Sequence, residues 1–346
     1  MTDAAPSHRN NFGLLRLVFA MFVLVSHSIE MVDGNRSREP LTYIFGTLSL
    51  GELGVDGFFL VSGYLITQSF ENSASMFSYL LSRVLRIYPA FMIAFALSII
   101  IVGPLSGADM NALRGTGWMM QLYYMLLLAG PILPNAFAGL HYPFLNGAMW
   151  TIPYEFSCYL FIPTFGLFGE LWRRRILVFL LMVLLLVSAF VPIGNNAFTL
   201  PSNFSGPPKD AVRFASLFLS GATFYIFRDH ISYRNDLAII AAIALLGSLF
   251  NHATEVLAMG TLGGYLIFWF AFLKCTPRLN RINKETDVSY GVYLYAWPIQ
   301  NLLIKFVPGI TPLLVMILTT ISAAALAILS WNLIEKPSLS FKRRSN

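Results

Sequence analysis

Residues 176–191 read ILVFLLMVLLLVSAFV, an unbroken apolar run with Ser188 its lone polar side chain. Such a run has nothing to offer water, and in lipid its backbone N–H and C=O groups must find partners within the segment itself. A helix satisfies that requirement; an isolated strand does not. A closed barrel would instead show alternating segments of about ten residues. The remaining apolar runs of this chain are likewise long and continuous. Composition agrees: 12% of the 346 residues are charged and 56% are apolar, with a mean hydropathy of +0.66. Soluble domains carry about a quarter charged residues. The expected class is therefore all-α, a polytopic membrane helix bundle.

Apolar segments fall at 12–32, 48–70, 87–104, 149–169, 175–193, 211–228, 237–251, 255–273, 288–306 and 311–334, each near the ~20 residues that a span needs. The first resembles a signal-peptide core but runs into SHSIEMVDGNR without a small-residue cleavage site, so it is read as a retained span. Residues 118–133 are less apolar and aromatic-rich, and form either an eleventh span or a re-entrant piece. Cytoplasmic loops collect Lys and Arg. With a cytoplasmic N-terminus and no crossing at 118–133, only Arg36, Arg38, Arg114, Lys209, Arg213 and Lys305 lie outside; the other seventeen of 23 Lys and Arg lie inside. A crossing there would invert everything after it and abolish the bias. About ten spans with both termini cytoplasmic are expected, in one membrane domain over 1–346: a bundle from about 10 to 334, then a basic cytoplasmic tail, 335–346.

The net charge of +6 is thus a topology signal and does not point to nucleic acid. Two cysteines, Cys158 and Cys275, make no disulfide framework, and His8, His27, His141, His230 and His252 have no metal-ligand spacing. The loops at 105–148 and 194–210 are too short or too rich in Pro, Gly and Asn to form a soluble domain. No internal repeat is evident, which weighs against inverted-repeat transporters.

Ionisable residues inside spans mark function by default. Arg16 and His27 are eleven residues apart, which places them within about 20° on one helical face and roughly 16 Å apart in depth. Arg16 also suits a snorkelling topology residue, and His27 a helix–helix hydrogen bond. The second span holds GVDGFFLVSGYLIT at 54–67, with Asp56 costly to bury unpaired and small residues that admit close helix approach. Arg83 and Arg86 share a face at the cytoplasmic start of the third span, where a phosphate-bearing ligand would be held; orientation alone also explains them. Glu155 lies about one turn inside the outer end of the fourth span, at a depth where it can pair with His27 and hold the imidazole basic. Cys158, one turn deeper, is either an acyl-accepting thiolate or an inert core residue. The tyrosines of DVSYGVYLYAWPIQ, 287–300, line either a polar cavity or an interfacial belt.

Taken together and in this order, these strings closely resemble the acyltransferase-3 family of polytopic membrane O-acyltransferases, many of which O-acetylate surface polysaccharides. The resemblance rests on Arg16 and His27 at their spacing, GVDGFFLVSGYLIT, Arg83 and Arg86 before Tyr-Pro, the block from Trp150 to Glu155, SYGVYLY, and the terminal EKP at 335–337. It implies a cytoplasmic acyl-coenzyme A donor, usually acetyl, as co-substrate, no permanently bound cofactor, and a glycan or lipid-linked glycan acceptor. The setting would be the bacterial inner membrane, in contact with membrane lipid. In similar proteins the counterpart of His27 is essential and those of Arg16, Arg83 and Arg86 handle the donor. The chain departs from many members at Ala296, where they carry histidine. The catalytic expectation is His27 as general base oriented by Glu155, with Ser62 or Tyr64 stabilising the oxyanion. Asp56, Ser62, Tyr64, Trp150 and Tyr290 are expected to line the substrate pocket. The competing class is a transporter or flippase built on the same intramembrane charges.

Overall fold

The computed structural model describes residues 10–165, 170–190, 208–273 and 279–345, and among them every regular element is helical. Arg9, Lys274, Cys275, Arg278 and the loop at 194–207 lie outside the described residues. The chain begins with α1 (Phe12–Asp33), a short α2 (Pro40–Phe45), α3 (Leu50–Glu71) and α4 (Met76–Leu97). A π-helical turn at Ser98–Val102 carries α4 into α5 (Gly103–Ser106). The short α6 (Gly117–Leu126) precedes α7 (Ile152–Phe165), α8 (Glu170–Phe190), α9 (Pro208–Ile226) and α10 (Asn235–Ser248). A second π turn joins α11 (His252–Ala258) to α12 (Gly264–Phe272); α13 (Ser289–Phe306), α14 (Pro312–Ser330) and α15 (Lys336–Ser345) complete the chain. Each of the ten expected apolar segments holds a helix. Among the described residues, five continuous helices are long and apolar enough to cross a membrane: Phe12–Asp33, Leu50–Glu71, Met76–Ser106, His252–Phe272 and Pro312–Phe341.

Local chemistry sets the ends that matter for the site. Gly34 closes α1 in the left-handed conformation, φ 72°, and a Cβ there would meet the His141 ring at 2.5 Å. Ser49 and Glu52 cap α3 reciprocally, which places the Glu52 carboxylate at the mouth of that helix. At the α3–α9 crossing, Cβ atoms built on Gly63 and Gly221 would lie 1.9 and 2.0 Å from the carbonyls of Phe218 and Leu60. Only glycine permits this approach, the small-residue packing that lipid-embedded helices rely on. Gly57 likewise leaves room for the Phe19 ring of α1.

Helix α13 runs beside α1 through the centre. Pro298 has no N–H, so the Leu294 carbonyl one turn back loses its helical donor. Asn146 supplies the replacement, its side-chain amide donating to Leu294 O at 2.8 Å. Gln300 of α13 donates to Leu24 O at 2.9 Å and to Ser28 Oγ at 2.8 Å, pinning α13 to α1.

Residues 109–134 leave and return. The Asp109 amide donates to Pro134 O at 2.9 Å, and the Gln121 side chain holds Ile132 through both its amide groups. Between them α6 has ten residues, about 15 Å of helix or half a bilayer core. The C-terminal basic stretch is helical and continuous with α14 through a π turn at Trp331–Glu335, and Glu335 is 2% exposed.

Candidate active site

Two neighbouring cavities occupy the middle of the bundle. The first, about 120 Å3, takes in Arg16 of α1, Arg83 and Arg86 of α4, Ser62 of α3, Glu155 and Tyr159 of α7, and Tyr290 and Tyr293 of α13. Phe58, Phe59 and Ile87 supply apolar wall. The three arginines thus line one cavity, but they are not equivalent. Arg86 donates to the Asp287 carboxylate and lies 3.5 Å from Glu335, and Arg16 reaches the same Asp287 oxygen at 2.9 Å. Ser289 Oγ and Asn283 Nδ2 also donate to Asp287. Burial alone would raise the Asp287 carboxyl, yet Arg86 and Arg16 outweigh it and hold it well below the usual carboxylate range. A depressed acid contributes stability that is full above its unfolded pKa and is lost as pH falls through the folded value, so the pairing of Asp287 with the two arginines is at full strength above about pH 4.

Arg83 is the exception. Its guanidinium donates to Ser69 Oγ at 3.3 Å and lies about 6 Å from the rings of Tyr79 and Tyr159, but no carboxylate pairs with it among the described residues. Its Nε, like that of Arg16, is buried without a hydrogen-bond partner. A buried cation left in this state is costly, and the usual compensation is an anion.

The second cavity, about 280 Å3, is walled by His27 and Glu30 of α1, Glu52 and Asp56 of α3, Arg36, Trp150, and Lys209, Asp210 and Arg213 of α9. His27 packs edge-on against Trp297, centroids 4.9 Å apart, and turns Nδ1 to within 3.6 Å of Glu30. Glu30 is itself fixed by Arg36 Nε at 3.0 Å and by the Tyr142 hydroxyl at 2.8 Å. Burial and the Glu30 carboxylate push the Tyr142 phenol up to about 12, so it remains a donor. Asp56 accepts both prongs of Arg213, at 2.9 and 2.7 Å, and Arg213 continues to Glu255 at 3.4 Å. Asp56 is therefore paired, as its cost demanded.

Several expected placements change. Glu155 does not face His27: it lines the arginine cavity, where it accepts from Ser62 Oγ at 2.9 Å and from the Tyr159 hydroxyl. The carboxylate beside His27 is Glu30, from the same helix. Its signal was legible, since residues three apart on a helix share a face. Ser62 already donates to Glu155, and Tyr64, two residues and thus about 200° further round α3, packs among Phe12, Tyr225, Phe268 and Phe272 at 4% exposure. Tyr64 lines neither cavity. Trp150 and Asp56 line the His27 cavity, and Tyr290 lines the arginine cavity. Cys158 packs against the core and borders neither. Asp287 and Glu335 stand in motifs noticed in the sequence, but their partners become visible only in the fold. Removing the Asp287 charge leaves two half-buried arginines short of a counter-ion, at a cost below the roughly 3–5 kcal/mol of stranding a fully buried charge. Asp287→Asn is thus expected to melt markedly earlier in detergent, measured by intrinsic fluorescence against the parent.

Comparison with known proteins bears on the family of the chain. A family model described as an acyltransferase domain matches residues 9–332. The chain is 29% identical over 338 residues to an O-acetyl transferase of Shigella phage Sf6, covering 96% of this chain and 97% of that protein. It is 29% identical over 382 residues to Nodulation protein 10 of Rhizobium leguminosarum bv. viciae, covering 98% and 96% respectively. No solved structure matches the chain.

Proposed function

The chain belongs to the acyltransferase-3 family of membrane acyltransferases, and from that premise we propose that it moves an acetyl group from cytoplasmic acetyl-coenzyme A to a hydroxyl of a surface or lipid-linked polysaccharide. The observation that carries the donor assignment is Arg83, a half-buried guanidinium whose Nε is buried without a hydrogen-bond partner and which has no carboxylate partner among the described residues, in a cavity that Arg16 and Arg86 also line. Coenzyme A is polyanionic at one end, and arginine forks match phosphate oxygens. Glu155 keeps acceptor capacity beyond its bonds to Ser62 and Tyr159, suited to the amide N–H groups of the donor's arm.

His27, set against Glu30 and Trp297, is the general base. With Nδ1 turned to Glu30, Nε2 takes the proton of the acceptor hydroxyl as its oxygen attacks the thioester carbonyl. The carbon–sulfur bond breaks, and the thiol departs with that proton. Glu30 acts as the positioning carboxylate. Trp150 gives the acceptor cavity an aromatic face and Asp56, Glu52 and Arg213 give it hydrogen-bonding groups, a combination suited to a sugar.

The topology that accompanies this reading has ten helices crossing the bacterial inner membrane with both termini cytoplasmic. Two features support it. Residues 109–134 return to their point of departure. Arg36, Lys209 and Arg213, which the charge count assigns to the outer side, gather round the His27 cavity, whereas Arg16, Arg83 and Arg86 surround the other.

The test is thiol release from acetyl-coenzyme A by the purified full-length protein, with and without envelope glycan. Glycan-dependent release with acetyl appearing on the glycan is expected. Movement of glycan across a vesicle membrane with no thiol released would instead establish a transporter.

A further inference from the structure

Two residues border both cavities: Val55 of α3 and Tyr293 of α13. They stand where the helices carry the chain of contacts from one chamber to the other. On α13, Tyr290 lines the arginine cavity, Tyr293 lines both, and Trp297 touches His27, at successive turns of one face. On α3, Ser62 lines the arginine cavity, Val55 lines both, and Glu52 lines the His27 cavity, again at turn spacing. The septum is held in place. Tyr293 is 9% exposed, its hydroxyl is 2.6 Å from Thr151 Oγ1, and the edge of its ring meets Phe58 with centroids 6.1 Å apart.

We infer that Val55 and Tyr293 form the septum past which the acyl end of the donor must reach to meet the acceptor, and that the space beside them sets the acyl-chain length the enzyme accepts. The inference rests on the donor and acceptor assignments above. If the phosphates are anchored by the arginines, the sulfur has a fixed reach, so the leading carbons of the acyl chain are what meets this wall. The chamber on the donor side is the tighter of the two, about 120 against 280 Å3, and an apolar side chain lies at the boundary. A longer chain therefore meets Val55 and the Tyr293 ring before its carbonyl carbon can pass, whereas an acetyl methyl has little to clear. A single methylene in an apolar pocket changes discrimination by about 10- to 200-fold, so a one-residue change at position 55 is enough to move the preference.

The experiment measures kcat/KM of purified full-length protein for acetyl-, propionyl- and butyryl-coenzyme A with one glycan acceptor. Its readout is the butyryl-to-acetyl ratio within each variant, which does not depend on how much of the preparation is folded. Val55→Ala is expected to raise that ratio about tenfold, and Val55→Leu to lower it. If the parent consumes acetyl-coenzyme A but both ratios stay at its value, or shift in the same direction, the septum does not set chain length and this inference alone falls. If the parent consumes no acyl-coenzyme A, the donor assignment falls and the inference falls with it.

Discussion

His27→Ala is expected to lower acetyl-coenzyme A turnover by about 10²- to 10⁴-fold, the contribution general base catalysis usually makes, while the donor binds as before. The expectation follows from where the imidazole sits. It lines the larger of the two cavities, away from Arg16, Arg83 and Arg86, with Glu30 at 3.6 Å and the Trp297 ring against it. A base placed there acts on the acceptor hydroxyl and has no part in holding phosphates. The same geometry separates two carboxylates. Glu30→Gln should lower kcat, by less than His27→Ala, because the imidazole remains but loses its partner. Glu155→Gln should act chiefly on the KM for the donor, because Glu155 lies with Ser62 and Tyr159 in the arginine cavity. Steady-state kinetics on both variants checks the assignment; equal losses of kcat with unchanged KM would return Glu155 to the catalytic pair.

The second large effect concerns Arg83. Hydrogen bonds to charged groups contribute about 1.5–3 kcal/mol each, so Arg83→Ala is expected to weaken acetyl-coenzyme A binding by about 10- to 100-fold. Arg86 offers the contrast. It is already committed to Asp287 and Glu335, so Arg86→Ala leaves Glu335 without a guanidinium and Asp287 with Arg16 alone, and should cost stability before it costs affinity. Among the described residues, Arg83 satisfies no carboxylate that its loss would strand. Desulfo- or dephospho-coenzyme A competition would locate the effect: a phosphate contact makes the loss vanish for a ligand lacking the phosphate that Arg83 holds.

The parts of this arrangement that were legible in the sequence are those governed by a single helix. Long apolar runs such as 176–191 announce helices because lipid offers the backbone no alternative. Arg83 and Arg86 announce a shared face because three residues make nearly one turn. That Glu155 turns away from His27 was not legible, because depth in a bilayer does not say which helices are neighbours or how each is rotated about its axis. Rotation is decided by contacts such as Gly63 against the Phe218 carbonyl, which no local pattern encodes. The same limit applies to Tyr64, which lies only two residues from Ser62 yet on another side of α3. Glu30 is legible from its spacing to His27, three residues on and so on the same helical face. Asp287 and Glu335 are the counter-ions of Arg86, yet they come from a loop and from a π turn far along the chain, so only the fold brings them together.

The division of labour between the two cavities is tested most directly by the acetyl-coenzyme A affinity of two variants of the full-length protein, His27→Ala and Arg83→Ala, measured calorimetrically in the same detergent. Parental affinity is expected for the first and a loss of about 10- to 100-fold for the second. Parental affinity in Arg83→Ala, or an equal loss in both, would contradict that division of labour.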